Sequence, residues 1–327
     1  MPRMNILLVH GSPIPVYAYG GTERVIWDLG KALVSMGHTV TYLVPAGSRC
    51  DFAEVKTWDT EKPLMPQIPT GFDVVHFQIH PGCEPDYPYL VTEHGNSRKP
   101  KPFPRNTVFV SKNHAQRYGA TEFVHNGLDW SSYAPFDPSV ARSRHHFLGK
   151  GAWPVKNLKG AIRVALAAGV EMDVLGAKRL GLSHQLRWTW SPRIHFHGMV
   201  GGDEKFRLLQ QSKGLIFPVR WHEPFGLAVI ESLYFGAPVY ATPYGALPEI
   251  VTPEVGSLSD NMDGLVAAVT AGNFAPEACH ERATQHFNHL QMGRGYVQYY
   301  ERVLSGETLH PQQPVLLTNG RALKDWD

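Results

Sequence analysis

Two glutamates set eight positions apart, Glu223 and Glu231, lie in the segment WHEPFGLAVIESLYFGAPVYATPYGALPEIV that runs from Trp221 to Val251. The segment reads as a loop turning into a helix. Pro224 suits the first helical position, Gly226 lets a ligand approach the backbone, and Leu227, Ile230, Leu233 and Tyr234 recur at the spacing of a buried helical stripe. A helix start is an anion site, because its first N–H groups lack intrahelical partners and its dipole favours phosphate. Glu223 at the mouth and Glu231 two turns along could then hold hydroxyls on either side of a bound diphosphate. The plainer reading makes Glu223 a cap and Glu231 a solvated helix residue. Their surroundings argue for the first. Gly236-Ala-Pro-Val ends the helix and opens an apolar strand, and Gly245-Ala-Leu-Pro-Glu249 opens another helix. A strand, a glycine loop and a helix, given twice in succession, form a nucleotide-binding layout.

The rest of the chain supplies elements of the same kind. Asn5 to Val9 reads as a buried parallel strand, and Thr22 to Met36 carries Ile26, Leu29, Leu33 and Met36 on one helical face before Gly37 stops it. Short apolar strands follow at 40–44, 74–77, 89–92 and 108–110. The stretch NGLDWSSYAPFDPSVARSR, Asn126 to Arg144, has no sustained apolar period and reads as a connection. Beyond it strand and helix alternate again: strands at 147–148, 172–175, 194–196 and 215–217, with helices at 158–168 and 204–211. The predicted fold class is α/β with two doubly wound, Rossmann-like domains, residues 1–140 and 141–290. A last helix, with Tyr296, Tyr299, Tyr300 and Val303, is expected to cross back to the first domain over 291–306, leaving a polar, poorly ordered tail over 307–327.

Composition excludes more than it selects. A chain of 327 residues suits roughly two domains, and a net charge of +2 with 18% charged residues speaks against a nucleic-acid partner and against disorder. Cys50, Cys83 and Cys279 are scattered, without a CxxC pair, so neither a disulfide framework nor a structural zinc site is expected. The N-terminal apolar run is too short for a signal segment, and no stretch of about 18 apolar residues occurs. These points suggest a cytoplasmic protein that at most rests on a membrane surface.

With those residues in view, the chain from Asn5 to about Leu304 resembles the retaining glycosyltransferases of family 4, whose GT-B architecture sets two Rossmann-like domains facing each other across a cleft. Gly20-Gly21 with Glu23 and Gly37-His38 resembles the family's N-terminal glycine loop and first helix. Glu93-His94-Gly95 resembles its central histidine, and Ser111 with Asn126-Gly127-Leu128-Asp129 its interdomain signature. The block from Glu223 to Glu231 is the most specific element. The resemblance implies that the C-terminal domain binds a nucleotide-sugar donor and the N-terminal domain an acceptor. Glu231 would hold the ribose hydroxyls and Glu223 the donor sugar. Pro224 joins the donor-binding loop, and backbone N–H groups near Phe225, Gly226 and Leu227 would meet sugar or phosphate, as would those of Gly20 and Gly21 from the other domain. Lys156 matches the lysine that contacts the diphosphate. Where relatives carry an arginine after the glycine that ends the first C-domain strand, this chain has Lys150, which supplies charge without a bidentate fork.

Glycosyl transfer requires stabilisation of an oxocarbenium-like centre and of the charge growing on the departing diphosphate. Lysines and helix N-termini can serve the second need, and no Asp-x-Asp motif of the kind that holds a divalent ion against phosphates is read in the chain. Metal-independent transfer with retention, without a cofactor, is therefore expected, the leaving phosphate oxygen taking the acceptor's proton. His94 would sit near the reacting carbon, and His94, Glu223 and Lys156 are the expected catalytic groups. The absence of a complete GxGxxG after the first strand weakens an oxidoreductase reading. His195 and His197 share a strand face at the spacing of a metal pair, but lacking further ligands they read as core or surface groups. The loop SRKPKPFPR, Ser97 to Arg105, gathers four positive charges that could draw the protein to an anionic membrane or acceptor. Other sugar-nucleotide enzymes of the same architecture, epimerases or hydrolases, and a silent sugar-nucleotide binder are the alternatives. The residues do not choose among UDP-, GDP- and ADP-sugars, or among carbohydrate, lipid-linked and small-molecule acceptors.

Overall fold

The computed structural model describes residues 2–15, 20–97, 100–181, 187–188, 190–317 and 323–326. The chain divides into two compact units. Unit 1 comprises Met1–Trp130 with Phe287–Gly320, and unit 2 comprises Ser131–His286 with Arg321–Asp327. The first break thus follows Trp130 rather than residue 140, because the stretch after it packs in unit 2: the Tyr133 hydroxyl bonds Glu231, and Phe136 stacks on His280.

Unit 1 is built on β1 (Asn5–Val9), α1 (Gly21–Ser35), β2 (Thr39–Val44), β3 (Glu54–Thr57), β4 (Val74–Phe77), β5 (Tyr89–Glu93), β6 (Thr107–Phe109) and α2 (Lys112–Arg117). Its six strands pair in parallel in the order β3-β2-β1-β4-β5-β6. Ile6 to Val9 and Val74 to Phe77 are buried on both sheet faces, as parallel strands covered on both sides require. Edge strand β3, EVKT, is mostly solvated, which is why no apolar run announces it.

Unit 2 repeats the order with β7 (Arg144–Leu148), α3 (Leu158–Ala167), β8 (Met172–Leu175), a short hairpin of β9 (Leu180–Gly181) and β10 (Arg187–Trp188), β11 (Ile194–Gly198), α4 (Gly202–Gln210), β12 (Ser212–Phe217), α5 (Leu227–Tyr234), β13 (Val239–Ala241), α6 (Leu247–Ile250), β14 (Gly256–Leu258), α7 (Met262–Ala271) and α8 (Pro276–His286). Its main sheet runs β11-β8-β7-β12-β13-β14. Relative to each unit's first strand, both orders are 3-2-1-4-5-6, with the reversal between β1 and β4 in unit 1 and between β7 and β12 in unit 2. Ligands of such sheets bind beyond the carboxyl ends of the strands that flank the reversal.

The last helix, α9 (His289–Leu304), belongs to unit 1. A Cβ on its Gly293 would lie 2.9 Å from Ala32 Cβ and from Met36 Cε, so glycine there permits close contact with α1. The tail does not behave as composition suggests. Val315 N–H donates to Tyr118 O at 3.0 Å, Phe103 N–H to Pro314 O at 2.8 Å, and Leu316 joins the core of Phe103, Phe109 and Tyr118. A few buried side chains and edge hydrogen bonds anchor a segment whose overall polarity predicts looseness.

Candidate active site

In unit 2 the loops after β7 and β12 meet at the reversal point. Pro154 to Lys156 form a single 3-10 turn, and Asn157 follows with φ 52°, a left-handed conformation that asparagine tolerates. Asn157 then caps α3, its Oδ1 accepting from Gly160 N–H at 3.1 Å, while its Nδ2 donates to Pro218 O at 2.9 Å. A backbone bond from Arg220 N–H to Val155 O, 2.8 Å, ties the second loop to the first. Lys156 thereby comes to rest on Glu223. Its Nζ lies 2.9 Å from Oε1 and 2.7 Å from Oε2, and Trp221 Nε1–H donates to Oε2 at 2.7 Å. The ammonium also sits 5.2 Å from the ring centres of Phe217 and Trp221.

Glu223 is held from behind as well. Its carbonyl accepts from Ala246 N–H at 2.9 Å, and Gly245, at φ 72°, lies so close to the Glu223 backbone that any Cβ would overlap it. Gly226, at φ 112°, precedes the first residue of α5, a conformation that only glycine adopts without strain. Pro224 and Phe225 are buried, so their side chains fix the loop; Leu227 opens the helix. Lys150 stands exposed after β7, with Nζ 5.3 Å from the ring centre of Trp153, itself 43% exposed, and Trp153 packs edge-on against Trp221.

Glu231 is not a solvated helix residue. It is 2% exposed, and its Oε1 accepts from Lys205 Nζ of α4 at 2.6 Å and from the Tyr133 hydroxyl at 2.8 Å. Glu223 and Glu231 therefore each have their own lysine, Lys156 and Lys205. Lys205 and Tyr133 escape a linear reading because they lie far from Glu231 in the chain and carry no motif of their own.

In unit 1 the corresponding loops bring together His10 after β1, Gln78 after β4 and His94 after β5. Gly20 precedes α1 in extended backbone and Gly21 begins it, with Glu23 in its first turn. Glu23 Oε1 lies 3.9 Å from His10 Nε2, and this imidazole holds the carboxyl below its usual range. His10 is buried, and neither of its ring nitrogens has a hydrogen-bond partner among the described residues. His94 Nε2 lies 2.7 Å from Gln78 Oε1. Enclosure of its ring, helped by His10, lowers its pKa to about 3, so His94 is neutral near pH 7. His114 donates from Nε2 to Gly95 O at 2.9 Å and fixes the backbone beside His94. Sequence reading did not single out His10 or Gln78; the position of each directly after a strand that flanks the sheet reversal was the available signal.

Several other expected residues have structural roles. Ser111 caps α2 through its Oγ, which accepts from His114 N–H at 3.1 Å. In the Asn126 to Asp129 motif, Gly127 leaves room for Asn288 O, and Asp129 pairs with Lys31 at 2.9 Å. His195 and His197 each face a carboxylate, Glu171 at 2.9 Å and Asp173 at 2.7 Å. Of the basic loop, Arg98 and Lys99 lie outside the described residues, Lys101 is exposed, and Arg105 pairs with Glu84 at 3.4 Å. The chain does contain one Asp-x-Asp, Asp325-Trp326-Asp327, contrary to the sequence reading. Its Trp326 is buried, Asp325 O accepts from the Tyr244 hydroxyl at 3.1 Å, and Asp327 lies outside the described residues. No described helix is long and apolar enough to cross a membrane.

Residues 147–277 match the family model of glycosyl transferases group 1. The matched span includes Lys150, Lys156, Glu223 and Glu231. Over 116 residues the chain is 29% identical to an uncharacterised 41.2 kDa protein in the cps region of Klebsiella pneumoniae, a match covering 33% of this chain and 32% of that protein. Among solved structures, AviGT4, a glycosyltransferase involved in avilamycin A biosynthesis, superposes with a TM-score of 0.76 at 21% identity, covering 93% of this chain and 98% of its own. Sucrose-phosphate synthase from Thermosynechococcus elongatus gives 0.69 at 15% identity, covering 93% and 100%. HepE of Anabaena, solved with UDP and glucose, gives 0.64 at 15% identity, covering 91% and 100%. The chain has the two-domain Rossmann-like fold of GT-B glycosyltransferases.

Proposed function

We propose that the protein is a glycosyltransferase that moves a sugar from a nucleotide-sugar donor to an acceptor hydroxyl with retention of anomeric configuration and without a metal ion. The observation that carries this reading is the pairing of Lys156 with Glu223 at the sheet reversal of unit 2, three residues before Gly226, the glycine that opens α5. In this reading the ammonium turns toward the diphosphate when donor binds, and Glu223 then accepts from the sugar's hydroxyls. The first turn of α5 and Lys150 add positive potential. Glu231, neutralised by Lys205, presents a fixed carboxylate to the ribose. The UDP bound in the HepE structure supports a nucleotide-sugar donor for this chain. Because Lys156, Lys150 and the helix start carry the leaving-group charge, no divalent ion is needed, and His94 lies on the unit taken to bind the acceptor.

A thermal-shift panel of UDP-, GDP- and ADP-sugars identifies the donor. With that donor, Glu223→Gln should lose transfer while still binding the free nucleotide, and the product should keep the donor's anomeric configuration in the presence of EDTA. A wild-type protein shifted by no nucleotide sugar sinks the proposal; inverted product sinks retention alone.

A further inference from the structure

A buried chain of hydrogen bonds runs from His94 to the last helix. His94 Nε2 is 2.7 Å from Gln78 Oε1, and Gln78 Nε2 is 3.1 Å from His76 Nε2. The second ring nitrogen of His76, Nδ1, lies 2.7 Å from the Tyr300 hydroxyl on α9. Thr92 Oγ1, 2.7 Å from His76 Nε2, continues to the Tyr296 hydroxyl at 3.0 Å. Gln78, His76, Thr92 and both tyrosines are buried, so these partners do not exchange freely with water.

The direction of the chain follows from what each atom can do. A carboxamide oxygen only accepts, so the His94 nitrogen that faces it carries the ring proton. A carboxamide nitrogen only donates, so His76 Nε2 is the bare nitrogen, which also takes the one Thr92 hydroxyl proton while Thr92 Oγ1 accepts from the Tyr296 O–H, and the His76 Nδ1–H points to Tyr300. A neutral imidazole has one ring proton; with that proton on Nε2, the lone pair of His94 is on Nδ1.

We propose that Gln78 is a positioning residue that fixes His94 in its Nε2–H form, so that His94 meets its ligand through a bare Nδ1 and takes a hydroxyl rather than a phosphate oxygen. The proposal rests on the reading of His94 as a group that faces substrate. A lone pair attracts an O–H and repels an anionic oxygen, so this site suits the hydroxyls of a sugar or acceptor and leaves the diphosphate to unit 2. Neutrality of the ring is consistent with its enclosure. The titratable groups around it are His10 beyond β1, Glu23 on α1, His76 on β4 and His114 on α2, with Glu93 beside it in sequence. Of these, His10 disfavours the charged form and Glu23 favours it.

Two-bond proton–nitrogen spectra of the full chain labelled with 15N-histidine test this at pH 7, with the His94 signals assigned by their absence in His94→Gln. The expected wild-type pattern is Nε2–H for His94. Gln78→Leu should abolish that preference, whereas Gln78→Glu, which retains an oxygen toward the ring, should keep it. A purely structural glutamine would make the two variants alike, since both lose the donor to His76. With the nucleotide sugar selected by thermal shift, Gln78→Leu should lower kcat on the order of 10- to 100-fold, the range seen when the group that orients a metal-binding histidine is lost, with little change in donor KM. An Nδ1–H pattern in the wild type overturns the proposal whether or not Gln78→Leu folds, and so does an unchanged pattern in Gln78→Leu. A lost preference with unchanged turnover would uphold the role of Gln78 and remove His94 from the reaction, so the two failures are distinguishable.

Discussion

Lys156 closes on Glu223 with both carboxylate oxygens within 2.9 Å of its ammonium, although the two residues are 67 positions apart. Their side chains are 13% and 7% exposed, so little water shares the pair. Breaking such a pair from one side leaves a buried charge uncompensated and typically costs about 3–5 kcal/mol, whereas removing both partners costs much less. Lys156→Met and Glu223→Gln should therefore each lower the urea midpoint clearly, and the double variant should lose less than the sum of the two single losses. Stability losses that simply add would show that the two side chains are not energetically coupled in solution.

His10 is a residue whose removal should separate function from stability. Both of its ring nitrogens are buried and lack hydrogen-bond partners among the described residues, at the end of a strand that flanks the sheet reversal. The cost of the unsatisfied ring is offset by its attraction for the Glu23 carboxylate, so His10→Leu should change stability by less than about 1 kcal/mol. Its backbone bonds, to Leu43 O and from Trp58 Nε1, survive the change. If the imidazole waits for a ligand hydroxyl, the same variant should turn over at least tenfold more slowly, by the general cost of losing a polar contact made on binding. A folded variant with full turnover would leave His10 no part in the reaction.

The framework was legible because parallel strands buried on both faces write themselves as short apolar runs. Asn5–Val9, Val74–Phe77 and Met172–Leu175 coincide with the strands read from sequence. Solvated β3 was not legible, and neither were α2 and α8, whose sequences KNHAQR and PEACHERATQH carry little apolar signal. Within the site, Glu223, Lys156 and Gly226 could be read as types suited to a phosphate and a sugar. That Lys156 meets Glu223, that Lys205 meets Glu231 and that Gln78 meets His94 depends on which loops the sheet order brings together, and local periodicity carries no such information.

The buried acids and bases give stability an asymmetric pH dependence. Burial, followed by repulsion from Asp129, raises the pKa of Asp28 from 3.8 to about 7. Between about pH 4 and 7 the folded state holds this proton and the unfolded state does not, so Asp28 costs stability as pH rises through that window. The buried imidazoles of His94, His114 and His146, lowered to about 3, act in the opposite sense: their contribution is lost as pH falls below 6.5. Asp28→Asn keeps an acceptor for the Asp129 N–H and removes only the first term. The stability of this variant relative to wild type, read from melting curves, should climb from near zero difference at pH 4 to its largest value above pH 7, with a ceiling of about 4 kcal/mol. A difference independent of pH would contradict the raised pKa.

The C-terminal residues hold the back of the unit 2 site. Lys324 N–H donates to Arg220 O and Arg220 Nε–H to Lys324 O, both at 2.7 Å, and the Tyr244 hydroxyl reaches Asp325 O at 3.1 Å. Trp326 is buried, and a Cβ on Gly160 would lie 2.7 Å from its ring, so it packs directly on α3. Arg220 stands beside Trp221, and Tyr244 beside Gly245, so each contact braces a loop that positions Glu223. Trp326→Ala should destabilise unit 2 by about 3 kcal/mol, as loss of a buried aromatic ring does. Hydrogen exchange should accelerate at residues 153–160 and 220–226 in this variant and remain unchanged in β1 and β4. Equal protection in both variant and wild type would mean that the loops owe their order to the bond between Arg220 N–H and Val155 O and to the Lys156 pair alone, and that the tail is carried by the site rather than supporting it.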